Sequence, residues 1–413
     1  MVKSGAAKRV LRPPQIRGAN RAALLSLLQQ RDYMSRADAA RQSGLSEGAI
    51  SRIVTGLIAD GLVCEDGEEN STGGRPGRRL ALDPRRVIFG AEIQNWETRC
   101  AVSTLRGRIV ETRRFRTPAS PLPALDRICD EFLAFRKAFG KDRLPGLGIC
   151  VRGIVNSEAG TLVLGSRGGW CQTPIREILE SRLHEPVTVE NNVRAAALAE
   201  YTYGAAEFAG RRCFLFVKID EGVGMGVVFD GKLYHGPHMA SGEFGQMVIQ
   251  YTPGEERYDR PGCMERLVSN PALCNRYAEL SGARRQASGG DTSARVRRIA
   301  QWATDGDAAA RQVIDETGRY LGIGISNVAW SLDADAVVID GAVTEAWPLI
   351  EPLLLPELPD KKLFGSPNLL VRPSAFGGEA ALIGAATLPL NALFSHSTPA
   401  PPPARVARAN SVS

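Results

Sequence analysis

Between residues 46 and 60 the apolar positions Ile50, Ile53, Val54, Leu57 and Ile58 recur at three- and four-residue spacing. That spacing predicts a helix with all five turned inward, leaving Glu47, Gly48, Ala49, Ser51 and Arg52 on the outer N-terminal side. Ser46 stands where this helix needs its cap. Upstream, Ser35 is followed three residues on by Asp38, a pairing that predicts the start of a shorter helix, the hydroxyl capping one free amide while the carboxylate answers back. This helix should end at Gly44, a residue type that tolerates the left-handed backbone of a tight turn, with Leu45 dropping into the core between the helices. The run "NRAALLSLLQQ" supplies a third helix, and "GLVCEDGEENSTGGRPGRRLALD" reads as two strands joined by a polar loop.

Further along, the period changes from helical to alternating. "RVIFGAEIQNWETRCAVSTLRGRIVETRRF" (86–115) and "CFLFVKIDEGVGMGVVFDGKLYHG" (213–236) both read as strand, loop, strand, turn, strand, with turns at Arg106-Gly107 and Asp230-Gly231. A buried strand in "LPGLGICVRGIV" (144–155) and helices in "TPIREILESRL" and "NVRAAALAEYTYG" alternate with them. The body is therefore expected to be mixed α/β, built from two similar halves around a cleft.

Charge changes the picture at the N-terminus. Residues 1–86 hold fifteen Lys and Arg against nine Asp and Glu, a surplus of +6 that equals the formal net charge of the whole chain. Positive charge gathered in one small module, together with three short helices and two strands, points to a winged helix-turn-helix that binds double-stranded DNA. The outer side of the second short helix is what such a fold presents to base edges in the major groove. Small side chains at Gly48, Ala49 and Ser51 let the backbone approach, and Arg52 can reach a phosphate or a guanine. Arg75, between glycine and proline, suits a narrow minor groove. The residues expected to meet DNA are Arg36, Ser46, Glu47, Ala49, Ser51, Arg52, Arg75 and Arg78. A plain three-helix cap followed by a flexible basic linker is the alternative reading.

Composition bounds the rest. With 413 residues, 44% of them hydrophobic and 23% charged, the chain has material for two or three domains with sizeable cores. No apolar run approaches about 20 residues and no signal-peptide pattern opens the chain, so a cytoplasmic location without a membrane partner is expected. Eight cysteines without a CxxC pair read as reduced, mostly core thiols. The Pro/Ala/Ser-rich tail, 396–413, is expected to be disordered.

The facing loops "EIQNWETR" and "DEGVGMG" are where such a cleft could hold nucleotide phosphates on backbone amides. The signals conflict. Gly222, Gly224 and Gly226 allow close backbone approach in the second loop. The first has no glycine between Ala91 and Arg106, and Glu92 and Glu97 would place negative charge against phosphates, which favours a structural hairpin.

Taken in order, "LSEGAISRIVTGLIADGLV", "GRPGRRLALDP", "VENNVRAAALAEYTYG", "DGKLYHGPHMASGEFGQM", "GCMERLVS" and "GEAALIGAATL" resemble the ROK family (repressors, open reading frames and sugar kinases) in its regulator branch, from about Arg17 to about Leu388. The resemblance implies a winged helix-turn-helix domain over 1–85 fused to an actin/hexokinase-like two-lobed body over 86–395. Lobe one would take about 86–190 plus 375–395, and lobe two about 191–374. It also implies a homodimer or homotetramer, a DNA operator with inverted repeats, and control by a sugar or sugar derivative.

Three departures from the family pattern redirect that expectation. The family's kinases use an aspartate as the base that takes the sugar hydroxyl proton; Asn192 stands there, and an amide is no base near neutral pH. The family's zinc site uses a histidine and three cysteines, whereas this chain has Gln246, Glu256 and Tyr258 with Cys263 alone remaining, so no metal is expected. Asp340 and Ala342 occupy positions where the kinases tend to carry glycines, so no nucleotide cofactor is expected either.

What the resemblance leaves is a sugar pocket of Asn191, Asn192, Glu243, Gln246 and Glu265, all able to hydrogen-bond hydroxyls. Arg167 joins them in place of a sugar-contacting asparagine, suiting an acidic or phosphorylated ligand or pairing with Glu190 or Glu243. A pocket whose polar groups only satisfy one another is the plain alternative. His235 and His238 read as surface residues. The function expected is a repressor of carbohydrate-metabolism genes with no catalytic residue; an autoregulating sugar kinase and a regulator answering to a protein partner are the rivals.

Overall fold

The computed structural model describes residues 13–29, 31–68, 78–140, 146–166, 169–208, 210–251, 260–282, 291–360 and 368–394. These form two compact units: one holds the described residues up to Asp83 together with those from Leu390 on, the other spans Pro84–Pro389. Arg75, Arg167, Glu256, Tyr258 and the tail lie outside the described residues.

The first unit is three helices and a small sheet: α1 (Pro13–Gln29), β1 (Met34–Ser35), α2 (Arg36–Ser43), α3 (Glu47–Ala59), β2 (Val63–Glu68) and β3 (Arg78–Leu82). Ser35 caps α2 by accepting from the Asp38 amide at 3.1 Å, and its hydroxyl donates to the Asp38 carboxylate at 2.8 Å. Gly44 closes α2 at φ +70°, and Ser46 caps α3 through the Ala49 amide. Strands β2 and β3 pair antiparallel as the wing, and β3 also takes β1 on its other edge, a two-residue strand too short to leave a periodic signal. Leu24, Leu25 and Leu28 of α1 are buried with Ile50, Val54, Leu57 and Leu80.

Three apolar positions depart from expectation, Ile53 being only half-buried. Ile58 is 38% exposed, and Leu45 is only half-buried. At about 100° per residue Ile58 lies roughly 80° round the helix from Ile50, at the edge of the stripe rather than in its centre.

The second unit repeats one sheet plan. Strands β4 (Val87–Ile93), β5 (Glu97–Thr104) and β6 (Ile109–Arg116) form an antiparallel meander, followed by α4 (Pro121–Phe139) and β7 (Leu147–Val151). The chain next makes β8 (Gly153–Asn156), β9 (Thr161–Gly165), β10 (Cys171–Thr173), α5 (Ile175–Leu183) and β11 (Val187–Asn191). The sheet order is β11-β7-β4-β5-β6, with β8, β9 and β10 in a small sheet of their own. The stretch expected as one strand over 144–155 is thus two, because Gly153 at φ +124° turns the chain out of the main sheet.

After α6 (Asn192–Tyr203) come β12 (Cys213–Ile219), β13 (Val223–Phe229) and β14 (Lys232–Leu233), then α7 (Met264–Val268), α8 (Asn270–Ser281), α9 (Thr292–Thr304), α10 (Ala308–Leu332), β15 (Ala336–Asp340), α11 (Trp347–Leu354), β16 (Leu370–Pro373) and α12 (Ala380–Phe394). This sheet runs β16-β15-β12-β13-β14, the same meander with two parallel strands added on one side.

Between the sheets lies a layer of small residues. Ala195, Ala196 and Ala197 of α6 and Ala380, Ala381 and Ala385 of α12 share a core with Cys150 of β7, Phe214 and Phe216 of β12 and Val338 of β15. Small side chains here let two helices fit where one bulky layer would fill the space. The outer faces carry larger cores: Phe89, Phe132 and Phe135 with the first sheet, and a cluster spanning α7 to α11 with the second.

Candidate functional site

On the first unit, Ser46, Glu47, Gly48 and Arg52 are exposed along the start of α3, and Ala49 and Ser51 are half-exposed. Arg52 is restrained only by an Nε bond to the Gly48 carbonyl at 3.3 Å. Arg36 and Arg78 converge on Glu65 of β2, Arg36 at 2.8 Å, and these bonds hold the Glu65 carboxyl below its ordinary range, Arg78 first and Arg36 next. Two of the four arginines expected to meet DNA thus share one counter-charge. Exposed Arg52 has none among the described residues.

In the second unit the cleft is built where the strands of both sheets end. Asn191 closes β11 and caps α6: its side-chain oxygen accepts from the Val193 and Arg194 amides at 2.8 and 3.1 Å, and its Nδ2 donates to the Gly153 carbonyl. That spends Asn191 on structure, where hydroxyl binding was expected. Asn192 follows, buried in the first turn. Glu265, on α7, accepts from the Val223 amide at 3.0 Å. Glu243 precedes the single turn Phe244–Gln246, and desolvation with the like charge of Glu265 pushes its carboxyl up. Among the described residues the side chains of Asn192, Glu243 and Gln246 hydrogen-bond nothing.

Glu190 anchors this region. Its Oε1 accepts from Ser157 Oγ, the Asn191 amide and Arg194 Nε at 2.7–2.8 Å, and its Oε2 meets His235 Nε2 at 2.7 Å. Arg194 also donates to the carbonyls of Met239 and Val155. Glu190 is therefore held by four partners among the described residues, and His235, expected at the surface, is half-buried with its ring on Glu190. The loop position of His235 gave no sequence sign of that contact.

Burial alone would raise the Glu190 carboxyl, but the bond to His235, with Arg194 and the Asn191 amide, brings it below its ordinary 4.5. A carboxyl depressed by folding stabilises above its unfolded value and loses that contribution as pH falls through the folded one. Thermal melts should accordingly drop in midpoint as pH is lowered below about 4.5, and Glu190→Gln should flatten that acid limb; parallel limbs would remove Glu190 as its source.

The strands that flank the facing loops carry buried ion pairs. Glu92, expected to project negative charge into the cleft, is fully buried, with Arg99 Nε at 3.0 Å and Gln94 Nε2 at 2.7 Å. Arg99 reaches on to the Gly378 carbonyl at 2.5 Å. Lys218 donates to Asp340 at 2.9 Å, both buried at paired positions of β12 and β15. Burial pulls the Lys218 ammonium down, but Asp340, Glu92 and Asp220 together hold it above its ordinary value. The loop glycines serve packing: a Cβ at Gly226 would lie 2.5 Å from Ala197 Cβ, and one at Gly224 3.1 Å from Val193 Cγ2.

Among the described residues no group of three His, Cys, Asp or Glu could hold a metal. Cys263 is a buried free thiol beside Val248, with which it forms an isolated bridge.

Twin sheets of identical order with helices between them define an actin/hexokinase-like body, and the first unit adds three helices and a small three-stranded sheet. The ROK family model matches residues 82–392, and the chain belongs to that family. The xylose repressor of Bacillus subtilis is 26% identical over 383 residues, covering 90% of this chain and 95% of its own. A solved ROK family transcriptional regulator, a homologue of the Escherichia coli Mlc protein, has the same fold at a TM-score of 0.74 and 24% identity, over 92% of this chain and 97% of its own. The ROK hexokinase of Thermus thermophilus matches at 0.60 and 25%, over 74% of this chain and 99% of its own. No described helix is long and apolar enough to cross a membrane.

Proposed function

We propose that this chain is a transcriptional repressor that binds double-stranded DNA through its first unit and answers to a sugar or sugar derivative held in its second, without phosphoryl transfer. The observation that carries the reading is the capped, outward-facing start of α3, Ser46 to Arg52, on a module with the chain's surplus of positive charge. Likeness to a xylose repressor over nine-tenths of the chain supports it. In this reading Ser46, Glu47, Ala49, Ser51 and Arg52 meet the major groove, Arg36 and Arg78 the backbone, and Arg75 the minor groove. A homodimer or homotetramer sets two such modules on an inverted repeat in the cytoplasm. Asn192, Glu243, Gln246 and Glu265 receive the ligand, with Asn191 positioning Asn192 and Arg167 beside them. The domains follow as 1–85, 86–395 and a tail over 396–413.

The ligand acts only if it binds one arrangement of the body better than another. Operator fragments selected from genomic DNA should therefore lose or gain affinity by several-fold when sugars, sugar phosphates or sugar acids are added; an affinity unchanged across all three classes would discard the effector.

The fold shared with a hexokinase favours one rival, a sugar kinase. Against it stand Asn192 at the base position and the buried Lys218–Asp340 and Glu92–Arg99 pairs on the strands of the two sheets. Incubation with ATP and a sugar panel should give background phosphate transfer for the wild-type chain; turnover above background would overturn the noncatalytic reading.

A further inference from the structure

At the end of the first sheet lies a shallow, partly open pocket. Gln94, Asn95, Thr117, Ser166 and Trp170 line it with Arg152, and among the described residues no Asp or Glu does. Arg152 follows the last residue of β7 and is half-buried. Among the described residues its guanidinium makes no hydrogen bond and no ion pair. Its Nη2 lies 3.1 Å from where a Cβ on Gly222 would stand, and Glu265 Oε2 lies 2.8 Å from that same point, yet the two do not pair. Glu265 spends that oxygen on the Val223 amide instead.

An arginine partly withdrawn from water, with five N–H donors in a planar fork, is incomplete without an acceptor that matches the fork. Carboxylate and phosphate do so, and a neutral sugar hydroxyl offers only single bonds. We propose that Arg152 recognises an anionic group on the effector, so that the ligand is a sugar carrying a carboxylate or a phosphate. The proposal rests on the reading of the chain as a sugar-responsive repressor. It adds the ligand's charge, and it assigns that charge to a residue outside the expected pocket set. The described lining holds no carboxylate of its own, and Trp170 supplies an apolar wall for the ligand. Glu243 and Glu265 remain for the hydroxyls.

Titration calorimetry on the full chain tests this with matched probes: xylose, xylonate and xylose 5-phosphate, then glucose, gluconate and glucose 6-phosphate. At least one anionic member should bind about tenfold or more tightly than its neutral parent. Arg152→Gln should erase that advantage, and Arg152→Lys, which keeps the charge without the fork, should retain part of it. The two anionic arms distinguish carboxylate from phosphate. Neutral sugars binding as tightly as their anionic partners, no anionic member binding at all, or an undiminished preference in Arg152→Gln would each overturn the assignment. If Arg152→Gln does not fold, an undiminished preference in Arg152→Lys at raised salt does so. Retention of DNA fragments by the same wild-type preparation separates the two levels: DNA bound with neutral sugars preferred removes the anion alone, and no DNA bound removes the repressor reading.

Discussion

Replacing Lys218 by methionine is expected to lower the free energy of unfolding by about 3–5 kcal/mol, because it leaves the Asp340 carboxylate buried without its counter-charge. The pair joins neighbouring strands of the second sheet, and Glu92 and Asp220 contribute to the field that keeps the ammonium charged. Removing both charges with Lys218→Met and Asp340→Leu should recover most of the loss, since a well-packed apolar pair avoids the desolvation of either ion. Urea titrations with unchanged slope would measure both effects. A loss under about 1 kcal/mol in the single variant would mean that Asp340 reaches water, as in an open phosphate-binding cleft.

Gly148→Ala should cost about 1–3 kcal/mol or more, for a different reason. Its Cβ would lie 1.8 Å from the Ala385 carbonyl oxygen, a backbone atom of α12 that cannot swing aside. Gly90 on the neighbouring strand faces Ala386 in the same way, at 2.5 Å from its amide nitrogen. The two glycines let α12 lie against the strands whose ends carry Gln94 and Arg152, so the damage should extend to ligand binding. Gly48→Ala is the contrast: nothing lies within 4 Å of the added carbon, and alanine in that helix should gain up to about 1 kcal/mol. Thermal or urea melts of the three proteins would rank them, and a Gly148→Ala protein as stable as wild type would contradict the tight packing of α12.

The elements written in local chemistry were legible from the chain. Ser35 and Ser46 mark helix starts through bonds to amides three positions on, Gly44 marks a helix end through its left-handed backbone, and both meanders announce themselves through alternation and turn residues. What depended on distant partners was not. Strand β1 exists only because β3 pairs with it, and the break at Gly153 comes from the chain leaving one sheet for another. Glu92 looked like a charge exposed in a loop, although its counter-ion Arg99 stood seven residues on, directly opposite across the hairpin register. The Glu190–His235 contact spans 45 residues and two sheets. Arg152 had no motif to flag it; its meaning lies in the lack of any described acceptor, which requires coordinates to see.

Equilibrium retention of double-stranded DNA by the full chain, followed from about 50 to 200 mM salt, tests the central claim most directly. Wild-type protein should hold a selected subset of fragments with affinity falling steeply over that range, and Arg52→Ala should bind more weakly. Failure to retain any duplex at the lowest salt, or retention indifferent to both salt and Arg52, would contradict it.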